Sequence, residues 1–198
     1  MKKRRKIVVY IATSADGYIA RPDGGVEWLS RPQPKGNYGI GTFYKSIDTI
    51  LWGRKTYTKG IEMGMKAGLF AGVRNYVFSR HPETSLLAGF EWVKEPIKPF
   101  MQRLRAQPGK NIWMMGGGEI IGAFLDEGEI DEFSIHMIPI LIGEGIPLIA
   151  PRHRSVPLKL LSTKKFPDGV VYLNYSVLPK DQWDKKAKPQ RRSAKADS

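Results

Sequence analysis

Cysteine is absent from the 198-residue chain. That excludes disulfides, thiolate metal sites and cysteine nucleophiles, and with them the Pro-Cys-x-x-Cys half of a zinc deaminase signature. Histidine is scarce: His81, His136 and His153 lie far apart and form no H-x-x-x-H pair, so no metal site is expected. Long apolar runs are missing as well. No window approaches the roughly 18 to 20 uninterrupted apolar residues of a membrane span, and the basic N-terminus leads into a short strand-like run with no small-residue cleavage site. These absences predict a soluble, cytoplasmic protein. The 41% of hydrophobic residues that are present suffice for one sizeable core and one domain.

Acidic residues are outnumbered, and the formal net charge is +13. Such a surplus suggests a nucleic-acid partner, but its distribution speaks against a specific one. Residues 2–6 (Lys2, Lys3, Arg4, Arg5, Lys6) carry five of the charges and residues 180–198 a further net four, leaving +4 for everything between. The expectation is a basic N-terminal tail over 1–6, a folded domain over 7–179 and a basic, disordered tail over 180–198. Tails of this kind keep a protein soluble and touch polyanions nonspecifically.

Within the domain, "KIVVYIA" (6–12) reads as a buried strand ending in the polar loop "TSADG". Glycines and prolines interrupt any pattern from Asp16 to Gly41, a long connection of the sort that compact domains keep for function. A short helix over 42–47 precedes the strand "DTILWG" (48–53), and "RKTYTKG" reads as a helix opening or a tight turn. Further strands are expected at 73–79, 90–93, 111–115 and 130–141, helices at 98–109 and 117–126, and a hairpin around "PDG" from 157–166 and 170–178. Strands alternating with helices imply an α/β fold with a largely parallel sheet, helices on both faces and a C-terminal antiparallel hairpin. Ligands of such sheets bind beyond the carboxyl ends of the strands.

Three stretches at those ends suit phosphate. Gly116, Gly117 and Gly118 pass from a strand into a helix, where backbone N–H groups and the positive end of the helix dipole favour an anion; a plain chain reversal explains an isolated triplet equally well. Neither G-x-G-x-x-G nor the Walker pattern fits, because Ile121 and Ala123 stand where glycine and lysine are required. Gly53 is followed by Arg54, Lys55 and Thr56, donors for phosphate oxygens at a second helix start. Ser79 and Arg80 end the next strand. Taken together the three fit one extended phosphorylated ligand.

"ILWGRKTY", "VFSR" and "MMGGGEIIGAFL" resemble the cofactor-binding stretches of dihydrofolate reductase. "SADGYIA", "VEWL" and "PILIGEGIPLI" are more similar to its relatives, the reductase domain of bacterial riboflavin-biosynthesis deaminase-reductases (the RibD C-terminal domain) and small stand-alone proteins like it. The resemblance spans about residues 7–178. It implies a dihydrofolate reductase-like fold that binds NADPH. Gly53, Arg54, Lys55 and Thr56 would hold the diphosphate and adenosine side, and Ser79 with Arg80 would meet the 2′-phosphate. Gly116, Gly117, Gly118, Glu119 and Ile120 would approach the diphosphate and nicotinamide ribose across a cis Gly116–Gly117 peptide, and Ala12 and Ile19 would border the nicotinamide ring. Relatives are often dimers, so a homodimer is the expected assembly.

The proton donor is harder to find. Dihydrofolate reductases carry a buried acid just after the tryptophan that Trp28 matches; here "LSRPQP" follows, and the acids between Leu29 and Ala67 are Asp48 and Glu62. Asp16 and Glu27 are the catalytic candidates, Asp16 reading equally as a turn initiator. Trp28 reads as a pocket wall and Glu144 as a further substrate contact or a solvated turn residue. Three functions stay open: an NADPH-dependent reductase of a pyrimidine or pterin-like heterocycle, a dihydrofolate reductase, and non-enzymatic polyanion binding by the tails.

Overall fold

The runs "KIVVYIA", "DTILWG" and "NIWMM" are apolar at odd and even positions alike, the pattern of strands covered on both faces. In the computed structural model, which describes residues 4–32, 34, 37–80 and 85–183, they form the middle of a sheet. The elements are β1 (Ile7–Ser14), β2 (Tyr18–Ala20), α1 (Ile40–Lys45), β3 (Ile47–Gly53), α2 (Arg54–Glu62), β4 (Arg74–Phe78), β5 (Phe90–Val93), α3 (Ile97–Ala106), β6 (Asn111–Gly116), α4 (Gly118–Asp126), β7 (Glu132–Ile138), β8 (Ile146–Pro147), β9 (Leu158–Lys165) and β10 (Val171–Val177). Short 3-10 turns lie at Glu27–Leu29, Asn37–Gly39 and Lys180–Gln182.

The eight-stranded sheet has the order β5-β4-β3-β6-β1-β7-β10-β9. The strands from β5 to β7 pair in parallel, and β10 and β9 join antiparallel as the expected C-terminal hairpin. Alternation of side chains along each strand divides the core in two. Val9, Leu51 and Met114 face α3 and α4, where Phe100, Leu104, Ile121 and Phe124 pack against them. On the opposite face Ile50, Trp52 and Trp113 meet Tyr57 of α2 and Phe43 of α1. β9 lies at the sheet edge with all eight residues exposed, among them Leu158, Leu160 and Leu161.

Three expectations need correction. The stretch 2–6 is not a solvated tail where it is described: Arg5 is 3% exposed and ion-paired to Asp48, while Lys6 pairs with Glu132 and Arg4 with Asp131. A buried run of β1 needs its first turn of chain anchored, and these pairs provide that. At the other end ordered structure continues to Trp183, whose indole N–H donates to the Leu178 carbonyl at 2.9 Å. Residues 1–3 and 184–198, which hold the rest of both basic runs, lie outside the described residues, as does His81. The strand expected over 130–141 stops at Ile138, before Pro139, which has no N–H for the ladder. The long connection after Asp16 contains β2, which pairs with β8 in a separate two-stranded sheet.

Candidate functional site

Because β4, β3, β6 and β1 are parallel neighbours, their carboxyl ends fall in a row at about 4.8 Å per step. The row places Ser79 and Arg80 after β4, Gly53–Thr56 after β3, Gly116–Ile120 after β6 and Ala12 at the end of β1, in that spatial order. Positions far apart in sequence thus become one strip across the top of the sheet.

At the middle of the strip two helices start side by side. α2 is N-capped by Gly53 and α4 by Gly117, neither with a side-chain cap hydrogen bond. The first backbone N–H groups of a helix have no partner within it, so two uncapped starts present a concentrated set of donors with the positive ends of both dipoles behind them.

The glycines make this approach possible, chiefly by admitting protein rather than by leaving room. A Cβ on Gly53 would meet Ile120 Cγ2 at 3.1 Å and the Gly116 carbonyl at 3.2 Å. One on Gly117 would meet Thr56 Oγ1 at 3.2 Å and Ile19 Cδ1 at 3.7 Å. Gly116 has φ 111°, a conformation open to glycine, and the Gly116–Gly117 peptide is cis, as the resemblance implies. Gly118 is needed for packing, since a Cβ there would strike the Pro147 carbonyl, and its own carbonyl accepts from Ala150 N at 3.0 Å. The segment held in this way walls a shallow pocket of about 300 Å³ lined by Pro22, Gly118, Glu119, Ile146, Pro147 and Ala150.

Lys55 and Glu119 join across the two helix starts at 2.8 Å, both side chains about three-quarters exposed. A pair this exposed contributes little to stability, so Lys55 can exchange its carboxylate for a phosphate at small cost. Arg54 and Arg80 are exposed and Thr56 is half-buried beside Gly117. On the other side Ala12 packs with the buried Trp28, Ile138 and Phe166.

The acid candidates are engaged in other contacts. Asp16 receives the backbone N–H groups of Ile142 and Gly143, the latter at 2.8 Å, and its pKa is lowered by a side-chain hydrogen bond to Ser14 and then by these amides. Glu27 is ion-paired with Arg21, whose hydrogen bond holds its pKa down. Carboxylates stabilised in the ionised form are poor proton donors near neutrality, so neither is placed to serve as the acid. Asp16 instead fastens the β7–β8 loop to the β1–β2 turn. Glu144 is exposed in that loop, within electrostatic reach of Arg21. Asp48 sits at the start of β3, about 17 Å of strand from Gly53, and Glu62 pairs with Lys59 at the far end of α2.

A depressed carboxylate pKa gives stability that is present above the unfolded value and lost as pH falls through the folded one. The Gly143 amide resonance should therefore titrate with a midpoint below the ordinary aspartate value, and Asp16→Asn should abolish that titration. An unchanged titration in Asp16→Asn would assign the proton to another group.

Sequence reasoning missed the polar residues of the buried β1–β7 face, Tyr10, Ser134 and His136. The signal was present as polar side chains at alternate positions of an apolar strand, but His136 was considered only as a metal ligand. Groups of His, Asp and Glu able to hold a metal are absent among the described residues, and no described helix is long and apolar enough to cross a membrane.

The family model for the RibD C-terminal domain matches residues 5–172. Two Bacillus subtilis proteins of uncharacterised function are similar: YwjB, 36% identical over 84% of this chain and 95% of its own length, and YyaP, 31% identical over 87% and 95%. Among solved structures, a putative riboflavin biosynthesis protein from Shewanella sp. PV-4 superposes with a TM-score of 0.77 at 28% identity, covering 87% of this chain and 99% of that one. The Thermotoga maritima diaminohydroxyphosphoribosylaminopyrimidine deaminase/5-amino-6-(5-phosphoribosylamino)uracil reductase superposes with a TM-score of 0.66 at 16% identity over 88% of this chain. This chain spans 57% of that bifunctional protein. With a strip of phosphate-suited strand ends on a dihydrofolate reductase-like sheet and a family match over most of its length, the chain belongs to the RibD C-terminal domain family.

Proposed function

We propose that the protein is an NADPH-dependent reductase that delivers hydride to an electrophilic carbon of a pyrimidine-type heterocycle. The observation that carries this reading is the pair of uncapped helix starts at Gly53 and Gly117, side by side at the ends of adjacent parallel strands. The residues present fit the cofactor. Neither cap glycine carries a side chain over the helix starts, Thr56, Lys55 and Arg54 offer donors around them, and Arg80 extends the strip toward where a 2′-phosphate would lie. When bound, NADPH supplies the hydride from its nicotinamide ring. The chain's own part is to align the reacting rings and exclude water: Ile19 and Ala12 would border the ring, Gly118 docks the 147–150 wall, and Trp28 would close the apolar side.

Two other functions are disfavoured. A folate reductase needs a carboxyl beside the ring, and Asp48 and Glu62 are both remote from it. Polyanion binding through the N-terminal run loses Arg5 to the core. We further propose a homodimer formed along β9, because an eight-residue exposed edge with three exposed leucines invites pairing with a second copy. Leu160→Glu should then sediment as a monomer where the wild type is a dimer; a wild-type monomer would refute the pairing.

The test of activity is NADPH consumption. It should require 5-amino-6-(5-phosphoribosylamino)uracil or a close pyrimidine and should not occur with dihydrofolate. Turnover of dihydrofolate, or binding of NADPH with no turnover of any pyrimidine, contradicts the assignment.

A further inference from the structure

One strand beyond β1, on the side away from the glycine turn, β7 carries His136 directly opposite Ala12 in the parallel register. His136 is 4% exposed, ringed by Tyr10, Tyr38, Phe166 and Tyr172 at centroid distances of 4.8 to 6.3 Å. Burial lowers its pKa, so the ring is neutral. Its Nε2 lies 3.2 Å from the Tyr38 carbonyl oxygen. A carbonyl only accepts, so Nε2 carries the hydrogen. The Tyr10 hydroxyl donates to the same oxygen, also at 3.2 Å. Two donors from neighbouring strands therefore converge on one acceptor.

That acceptor does not belong to the sheet. It is delivered by a loop whose backbone is in the left-handed region at two successive non-glycine residues, Asn37 (φ 44°) and Tyr38 (φ 54°). Such conformations persist where surrounding contacts impose them. Here the Tyr38 hydroxyl donates to Asp168 in the β9–β10 turn, and Arg31 holds the same turn through the Asp168 carbonyl at 2.7 Å. In the same aromatic cluster the indole N–H of Trp28, a residue 8% exposed, is buried with no hydrogen-bond partner among the described residues. Buried donors are almost always paired, so this one marks a place for an acceptor.

We infer that Tyr10, His136 and Trp28 form the recognition subsite for a flat ring bearing carbonyl oxygens, and that the Tyr38 carbonyl stands in for a ligand oxygen until the 37–39 segment withdraws. This rests on the reductase reading, which sets a nicotinamide beside Ala12, and it adds the residues that select the ring. Of the lining atoms, His136 Nε2–H and the Trp28 indole N–H can only donate. A ring amino group needs an acceptor such as a carboxylate, and the carboxylate of this cluster, Asp168, is already committed to Tyr38 and Arg31. The subsite accordingly favours dioxo rings over amino-oxo rings. The clasp sets how readily the stand-in leaves, since affinity for a site populated part of the time falls with that fraction.

Lumazine and pterin test this, because they share a bicyclic skeleton and differ in a 2-oxo against a 2-amino group. Calorimetric titration of the full chain should show lumazine binding about tenfold more tightly than pterin, the scale of one or two net hydrogen bonds. Tyr10→Phe, which keeps the ring stacked on Phe43, should bring the two ligands close to parity, and His136→Phe should do the same. Tyr38→Phe removes the hydroxyl that grips Asp168 and should tighten lumazine binding severalfold. Equal or tighter pterin binding, no binding of either ring, or a lumazine preference that survives both donor substitutions overturns the subsite. Weaker lumazine binding in Tyr38→Phe overturns the stand-in role. NADPH binding is measured separately, so a lumazine preference without NADPH binding removes the reductase reading alone, and the reverse removes only this inference.

Discussion

Arg5→Leu is expected to destabilise the fold by about 3–5 kcal/mol, the cost of breaking a buried ion pair from one side. The Arg5 side chain is 2% exposed and reaches four partners at once. It pairs with Asp48, donates to Thr49 Oγ1 at 2.8 Å, and donates to the carbonyls of Lys110 at 2.8 Å and Leu104 at 3.1 Å. It thereby ties the entrance of β1 to β3, to the end of α3 and to the approach to β6. Leucine fills part of the volume but removes the nearer of Asp48's two ion pairs, leaving it Arg74 at 3.6 Å, and takes their side-chain donor from the Leu104 and Lys110 carbonyls, at a desolvation cost for each. For a chain of this size that loss corresponds to a fall in Tm of roughly 10 °C. A denaturant series on Arg5→Leu, Asp48→Asn and the double variant separates the pair from the rest: the double variant should recover part of the loss. A fall in Tm of a degree or two in Arg5→Leu would show that the N-terminal run is as dispensable as its composition suggests.

Gly117→Asp should do the opposite, leaving the fold standing and removing the site. Gly117 has φ −84°, which any residue adopts, and the nearest atom to a new Cβ is Thr56 Oγ1 at 3.2 Å, the end of a small side chain that can turn aside. An aspartate there caps α4 with a charge the helix dipole favours, so thermal stability should hold or rise. The same carboxylate occupies the donors meant for a diphosphate and repels it. Like charges facing each other in an interface cost several kcal/mol, so NADPH affinity should fall by about a hundredfold or more, equivalent to roughly 2.7 kcal/mol. Equilibrium titration together with a melting curve reads both halves of this expectation.

The parallel sheet was legible because "KIVVYIA", "DTILWG" and "NIWMM" could be strands of no other kind, and the glycine-ended strands gave away the edge at which ligands bind. Two things were hidden. Arg5 sits in a run of five basic residues that looks like a solvated tail, and nothing local distinguishes it from Arg4; its burial comes from Asp48, Leu104 and Lys110, all distant in sequence. The Arg31–Asp168–Tyr38 clasp joins residues 130 to 137 positions apart, beyond any spacing rule. Asp16 shows the reverse error. An acid in the loop after β1 suggests chemistry, yet its oxygens are spent on the amides of Ile142 and Gly143. Beside Gly117 and Gly118 much of the space is taken by Thr56, Ile19 and the Pro147 segment, contacts that no local pattern announces.

Calorimetric titration with NADPH, on the wild type and on Gly117→Asp in parallel, is the most direct measurement of the central claim that one dinucleotide lies along the ends of β4, β3, β6 and β1. Saturable binding of one NADPH per chain, abolished in Gly117→Asp and weakened in Arg80→Ala, is the predicted result. Absence of binding to the wild type, or undiminished binding to Gly117→Asp, would contradict it.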